Sequence, residues 1–329
     1  MTTLQAIILG IVQGLTEFIP VSSTAHLIFA SRALNLFGGV EQTLRAENTT
    51  ASIAVIQLGT LVAVLLYFAG DIWNITRAFV LDHLRLLQGG GKVAASSRMA
   101  NTGTPPRRLS EDALLGWLVI IGSIPVGVVG LLFKKQIEGT FTKNLWVIAT
   151  MMIVVALLLV VAELVGKRQR TMKELGVRDA LAVGGAQVLA LIPGSSRSGS
   201  TIMGGLFAGE TRETAARFSF LLSIPAVAAS GLLELKEALH KLPQGSGGAL
   251  VIATIVAGVV GYASIWFLIH YLRSHSTAVF IGYRLIVGIA ILVLLSGGYI
   301  KPLDGSPATA NPSRQISSHA VILPTPHAR

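Results

Sequence analysis

The sequence predicts an all-α protein, a polytopic membrane helix bundle. Three observations carry that prediction. Hydrophobic residues make up 52 % of the 329 residues and charged residues 13 %, with a mean hydropathy of +0.68. A soluble domain carries about 25 % charge, so a chain with half of that cannot cover its surface in water. Apolar stretches near the length that crosses a bilayer, about 20 residues, recur at 50–68, 113–133, 145–165, 217–235, 249–271 and 279–299. Two further apolar segments are broken in the middle. The chain has no Cys, which excludes disulfides, Cys-ligated metals and thiol nucleophiles.

Taken in order, residues 1–14 are apolar and the first basic residue is Arg32. They lack the basic start of a secretory signal and are expected to belong to the mature chain. Segment 4–34 is interrupted by Glu17, Pro20 and Ser22-Ser23-Thr24, and segment 179–208 by Pro193-Gly194-Ser195-Ser196-Arg197-Ser198-Gly199. Halves of about 12 residues are too short to cross. They suit re-entrant hairpins, whose irregular backbone must be buried in protein or line a wet cavity. The expected architecture is six full spans plus two re-entrant helical hairpins. Segment 69–112 holds a Gly run and a Ser/Thr/Pro stretch and is expected to be a mobile loop with a helical start. The tail 301–329 has five Pro and many Ser/Thr and is expected to be disordered.

Lys and Arg number 26 against 16 Asp and Glu, a net charge of +10. In a membrane protein such an excess marks cytoplasmic loops rather than nucleic-acid binding. Loops 69–112, 166–178, 209–216 and 272–278, with Arg217 at their boundary, carry 14 Lys and Arg. The opposite loops carry 7, and the tail adds 3. The richer face is therefore expected to be cytoplasmic.

The broken segments resemble each other. Ile19-Pro20-Val21-Ser22-Ser23 matches Ile192-Pro193-Gly194-Ser195-Ser196 at an offset of 173. One hairpin and three spans in each half make an odd number of crossings, so the second half (166–300) is an inverted copy of the first (1–165). The two tips then meet near the midplane, a known way to build a site inside a membrane.

Ionisable groups at membrane depth are costly and mark function. Gln13 and Glu17 are four apart on one helix face, a plausible pair of hard oxygen ligands for Mg²⁺ or Ca²⁺. Ser23 and His26 are three apart in the next helix, where a hydroxyl beside an imidazole is the local pattern of an activated nucleophile; the imidazole attacking or moving the proton itself is the alternative. Gly194, Ser196, Ser198 and Thr201 surround one fixed cation, Arg197, whose planar donor fork suits a phosphate. The Gly-Lys-Ser/Thr ending of a Walker loop is absent. Together these groups suit attack on a phosphoryl group of a lipid. Elsewhere, Arg284 is expected to face a lipid phosphate or snorkel, Glu163 to be interfacial, and Glu210 to be a loop charge.

At these residues the chain resembles the undecaprenyl-diphosphate phosphatase, or bacitracin-resistance, family. Gln13 to Glu17, Pro20 to His26 and Pro193 to Gly199 match its two long motifs, and Val55 to Gly59 and Phe218 to Leu222 match further segments. The resemblance implies hydrolysis of undecaprenyl diphosphate to undecaprenyl phosphate and inorganic phosphate, which recycles the carrier lipid for peptidoglycan synthesis and confers bacitracin resistance. It also implies a divalent cation, and a site on the outer side of the bacterial inner membrane. Gln13 and Glu17 would be the metal and acid/base positions, Ser23 and His26 the nucleophile and proton-transfer candidates. Arg197 would bind the diphosphate, with Ser196, Ser198 and Thr201 around it. Gln13 stands where Glu is more usual, Ala25 where Gly is usual, and Ser200 where Ala is common. The competing reading is a transporter or flippase of undecaprenyl phosphate, since many transporters are inverted repeats. The oligomeric state is left open, a homodimer included.

Overall fold

A computed structural model describes residues 1–38, 42–88, 109–133, 136, 144–241 and 247–300, with side chains at 42–47, 230, 233–234 and 237–241 left aside. The expected disordered tail 301–329 and the Gly-rich run of 69–112 lie outside the described residues. Among the described residues every regular element is helical. Five helices are long and apolar enough to cross a membrane.

The chain opens with α1 (Thr3–Phe18) and α2 (Ser23–Ala33). Thr2 and Gln5 exchange side-chain and backbone hydrogen bonds at 3.3 and 2.8 Å, a capping box that starts α1. Pro20 has no N–H to extend α1, and Ile19 is already extended. α3 (Gln42–Tyr67) contains the candidate span Asn48–Tyr67. α4 (Ala69–Leu87) follows, then the candidate spans α5 (Glu111–Leu132) and α6 (Leu145–Val165). The second short pair is α7 (Val177–Val188) and α8 (Arg197–Phe207). α9 (Arg212–Lys241) precedes the last two candidate spans, α10 (Gly247–Ser274) and α11 (Ala278–Ser296). The expected span 217–235 lies within α9, which is not one of the five.

The helical start expected of segment 69–112 is α4, which runs for 19 residues. Asp71 in its first turn and Arg85 in its last complement the helix dipole. Ile75 and Phe79 rest on Gly116 of α5, and the Trp117 indole N–H donates to His83 at 3.1 Å. A search for continuous apolar runs misses a helix with only one apolar face.

The short pairs cross over between halves. α1 lies along α10, from the second half of the chain, and α7 lies along α5, from the first. α3 packs on α9 and α10, and α6 on α8 and α11. Glycines permit the closest approaches. A Cβ on Gly14 would lie 2.8 Å from the Gly261 nitrogen, and one on Gly184 would strike the Gly122 carbonyl. Gly184→Val should therefore part α7 from α5 and cost about 1–3 kcal/mol. A thermal midpoint equal to wild type would contradict that packing.

The basic loops gather at one end. Glu163, at the end of α6, is more than the interfacial charge expected. It accepts from Arg212 (2.7 and 2.9 Å), Arg168 (3.0 Å) and both the backbone N–H and hydroxyl of Thr277 (2.9 and 2.8 Å), binding α6, α9 and α11 together. Arg273 with Glu213, and Arg217 with Asp71, add ion pairs there.

Glu210 is not the loop charge expected. It is fully buried against Gly205, and neither carboxyl oxygen has a hydrogen-bond partner. Burial and the neighbouring Asp179 carboxylate push its carboxyl from 4.5 up to about 8, with Arg170 pulling the other way. The folded protein thus keeps a proton that the unfolded chain releases near 4.5. That contribution to stability is fully present below the unfolded value and is lost as pH rises through about 8. The thermal midpoint in detergent should fall over that interval, and Glu210→Gln should flatten the slope; an unchanged slope would contradict the assignment.

Candidate active site

The two short helix pairs meet through their turns. Ser22 precedes α2 with φ 77°, and Ser196 precedes α8 with φ 67°, both left-handed conformations that L residues rarely adopt. Each turn presents a helix N-terminus, the natural place for an anion. The turns differ by one residue. Ile19 corresponds to Ile192 at the offset of 173, but the caps Ser22 and Ser196 differ by 174. The extra residue is absorbed around Gly194 at φ 95°, where any side chain would run into the Ile148 carbonyl.

The central contact joins the hairpins. Arg197, the first residue of α8, donates to Glu17 of α1 in a short ion pair. The Glu17 side chain is 9 % exposed and that of Arg197 17 %. Gln13, one turn earlier, donates to the other Glu17 oxygen at 3.1 Å and reaches Thr60 of α3 at 3.5 Å. On the two hairpins that carry this pair several buried polar atoms have no partner: Gln13 Oε1, Ser22 Oγ, Ser195 Oγ, Ser200 Oγ and Arg197 Nη1. Unpaired buried groups cost about 1–3 kcal/mol each. This concentration of them, donors and acceptors together, is the strongest sign of a polar ligand in the described residues.

The other expected residues divide. Ser196 caps α8 by accepting from the Gly199 N–H at 3.2 Å, and its hydroxyl lies 3.2 Å from that of Ser198. Thr201 is turned away from the turn, donating to the Arg197 carbonyl at 2.8 Å and pairing closely with Ser219 of α9. Gly194 contributes its carbonyl to Arg284 at 3.0 Å. Ser23 and His26 share α2 but are not hydrogen-bonded to each other. His26 Nδ1 lies 2.7 Å from the Ser22 carbonyl and Nε2 lies 2.6 Å from the Tyr283 hydroxyl.

The profile described as Bacitracin resistance protein BacA matches residues 6–290. The chain belongs to that family. It is 49 % identical over 292 residues to an undecaprenyl-diphosphatase of Syntrophobacter fumaroxidans, covering 89 % of this chain and 97 % of the relative. It is 47 % identical over 311 residues to that of Chlorobium phaeobacteroides, covering 92 % and 100 %. With that of Mycolicibacterium smegmatis it shares 45 % over 304 residues, covering 91 % and 99 %.

In this BacA-family chain, Arg284 and Tyr283 join the site; the sequence singles out Arg284 without its partners and does not indicate Tyr283. Arg284 of α11 does not snorkel: it is fully buried. Its guanidinium donates to the carbonyls of Pro20 (3.4 Å), Gly194 and Ser195 (3.0 Å each) and Met151 and Met152 (3.3 and 3.1 Å). One side chain thus fastens both turns to α6. A buried ionisable group was visible in the sequence, but one aimed at carbonyls leaves no acidic partner to find. Tyr283, its neighbour, meets His26, and nothing in the spacing of residues 26 and 283 indicates that. With His26 neutral, two guanidinium groups and one carboxylate leave the site net positive, which favours a polyanion.

Proposed function

We propose that this chain is an integral membrane phosphatase that hydrolyses undecaprenyl diphosphate to undecaprenyl phosphate and inorganic phosphate. The observation that carries the reading is the Glu17–Arg197 pair, which joins two hairpins that both hold partnerless buried polar atoms. Family membership and relatives named undecaprenyl-diphosphatase support it.

In this reading Arg197 leaves Glu17 for the diphosphate, where its free Nη1 and the α8 N-terminus add donors. Ser196 and Ser198, with the orphaned Ser195 and Ser200 hydroxyls, supply further contacts. Thr201 and Arg284 hold the turn that presents them. His26 moves the proton. Both His26 nitrogens are engaged, by the Ser22 carbonyl and the Tyr283 hydroxyl, and neither meets Ser23, so this reading takes water as the attacking oxygen.

A divalent cation fits conditionally. Among the described residues no group of three or more His, Asp or Glu could cage one. Gln13 Oε1 has no partner, however, and Glu17 gains a free oxygen once Arg197 departs. Mg²⁺ and Ca²⁺ accept such oxygens, and Mg²⁺ commonly completes its shell with substrate phosphates and water. Gln13 and Glu17 would hold the cation, which would supply charge neutralisation at the phosphoryl oxygens.

The same reading takes α3, α5, α6, α9, α10 and α11 as six full spans, and α1–α2 and α7–α8 as re-entrant hairpins of an inverted repeat. The crossed pairing of α1 with α10 and α7 with α5, and the twin left-handed serines, support it. The gathered basic end would face the cytoplasm, and the site would open to the outer side of the inner membrane.

The test is phosphate release from a long-chain isoprenyl diphosphate by purified protein, with and without a chelator. Release that stops with chelator, and no trapped phosphoserine at residue 23, are expected. No release at all would defeat the reading; release that survives the chelator would remove the cation from it.

A further inference from the structure

The His26 imidazole is held at both nitrogens, and the two contacts differ in kind. The Ser22 carbonyl can only accept, so Nδ1 carries the hydrogen. A neutral ring has one N–H, which leaves Nε2 with its lone pair, and the Tyr283 hydroxyl donates to it at 2.6 Å. The rings lie nearly parallel, 16° apart with centroids 5.5 Å from each other. Orientation is already supplied by the Ser22 carbonyl, which meets Nδ1 at 2.7 Å and also accepts from the His26 backbone N–H at 3.5 Å. Tyr283 therefore adds something other than orientation. It stands on the one ring atom that can take up a proton. It also precedes Arg284, which pins α11 to both turns, so its place relative to the site is fixed.

We propose that Tyr283 is the hydroxyl through which His26 exchanges its proton; this rests on the reading of His26 as the proton-transfer group. As water attacks phosphorus, one water O–H bond breaks and its proton goes to the Tyr283 oxygen. The hydroxyl proton of Tyr283 passes to His26 Nε2. Tyr283 is unchanged, His26 becomes imidazolium, and the new P–O bond displaces undecaprenyl phosphate. The imidazolium returns its proton by the reverse path to the phosphate oxygen of that leaving group. No oxidant, reductant or further reactant is needed.

The experiment uses full-length protein in detergent and farnesyl diphosphate or a longer isoprenyl diphosphate as substrate. Tyr283→Phe keeps the stacked ring and removes only the hydroxyl. It should lower kcat at least tenfold, leave KM within twofold, and reduce the solvent deuterium isotope effect on kcat. The double variant Tyr283→Phe/His26→Asn should be no slower than His26→Asn alone, because the groups act in series. Wild-type turnover in Tyr283→Phe, or multiplying losses in the double variant, would overturn the relay while leaving the phosphatase reading in place. A wild-type protein that releases no phosphate defeats that reading instead.

Discussion

Replacing Arg197 by Ala should lower phosphate release by about 10²–10³-fold, the loss typical of removing one preorganised donor from a developing oxyanion. The effect has two sources. The diphosphate loses its planar, two-pronged donor, which Lys replaces only in part. Glu17 is also left buried and unpaired, and breaking a buried ion pair costs about 3–5 kcal/mol of stability. Because Arg197 covers Glu17 in the absence of substrate, cation binding should be ordered. Calorimetric titration of wild type with Mg²⁺ should show no binding until inorganic pyrophosphate is present. Arg197→Ala should bind Mg²⁺ without it. Equal Mg²⁺ binding to both proteins in the absence of pyrophosphate would contradict the masking of Glu17.

Arg284→Met should be the most destabilising single change in the described core. The substitution nearly conserves length and apolar bulk, and it strips hydrogen bonds from five carbonyls on three segments. The Met151 and Met152 carbonyls keep their donors within α6, but those of Pro20, Gly194 and Ser195 lie in the turns; buried acceptors left without donors cost about 1–3 kcal/mol each, and relaxation of the turns recovers part of that. A net loss of about 3–5 kcal/mol is expected, the range found when a buried charged contact is broken. Turnover should fall with it, since Pro20 and Gly194 set the path of both turns. Arg284→Lys offers three donors from one point and should recover stability only partly. A thermal midpoint in Arg284→Met equal to wild type would show that the turns hold themselves.

Much of this was legible in the sequence, and the exceptions have physical causes. Continuous apolar runs placed α5, α6, α10 and α11 to within a few residues, because a bilayer demands both length and low charge. Pro20 and Pro193 located the two breaks. Glu17 and Arg197 were singled out separately as charges at membrane depth, and the structure joins them. The Ser23–His26 pair did not form. Helical spacing brings side chains near one another but does not choose which hydrogen bond forms, and the Ser22 carbonyl and Tyr283 hydroxyl captured both ring nitrogens. The repeat was readable, but its register at the caps was not. Gly194 takes up one residue in a left-handed turn, so Ser196 rather than Ser195 matches Ser22. The burial of Arg284 and Glu210 was not legible, because a linear sequence does not tell an exposed charge from one enclosed by distant segments.

The most direct test of the whole account is a single assay in sealed vesicles. Purified protein is reconstituted with undecaprenyl diphosphate labelled in its terminal phosphate, and the two leaflets are sampled separately. Hydrolysis predicts label released as inorganic phosphate, with undecaprenyl phosphate left in the membrane, and loss of that release in Glu17→Ala and Arg197→Ala. Intact lipid moving between leaflets with no phosphate released would contradict it and make the protein a transporter.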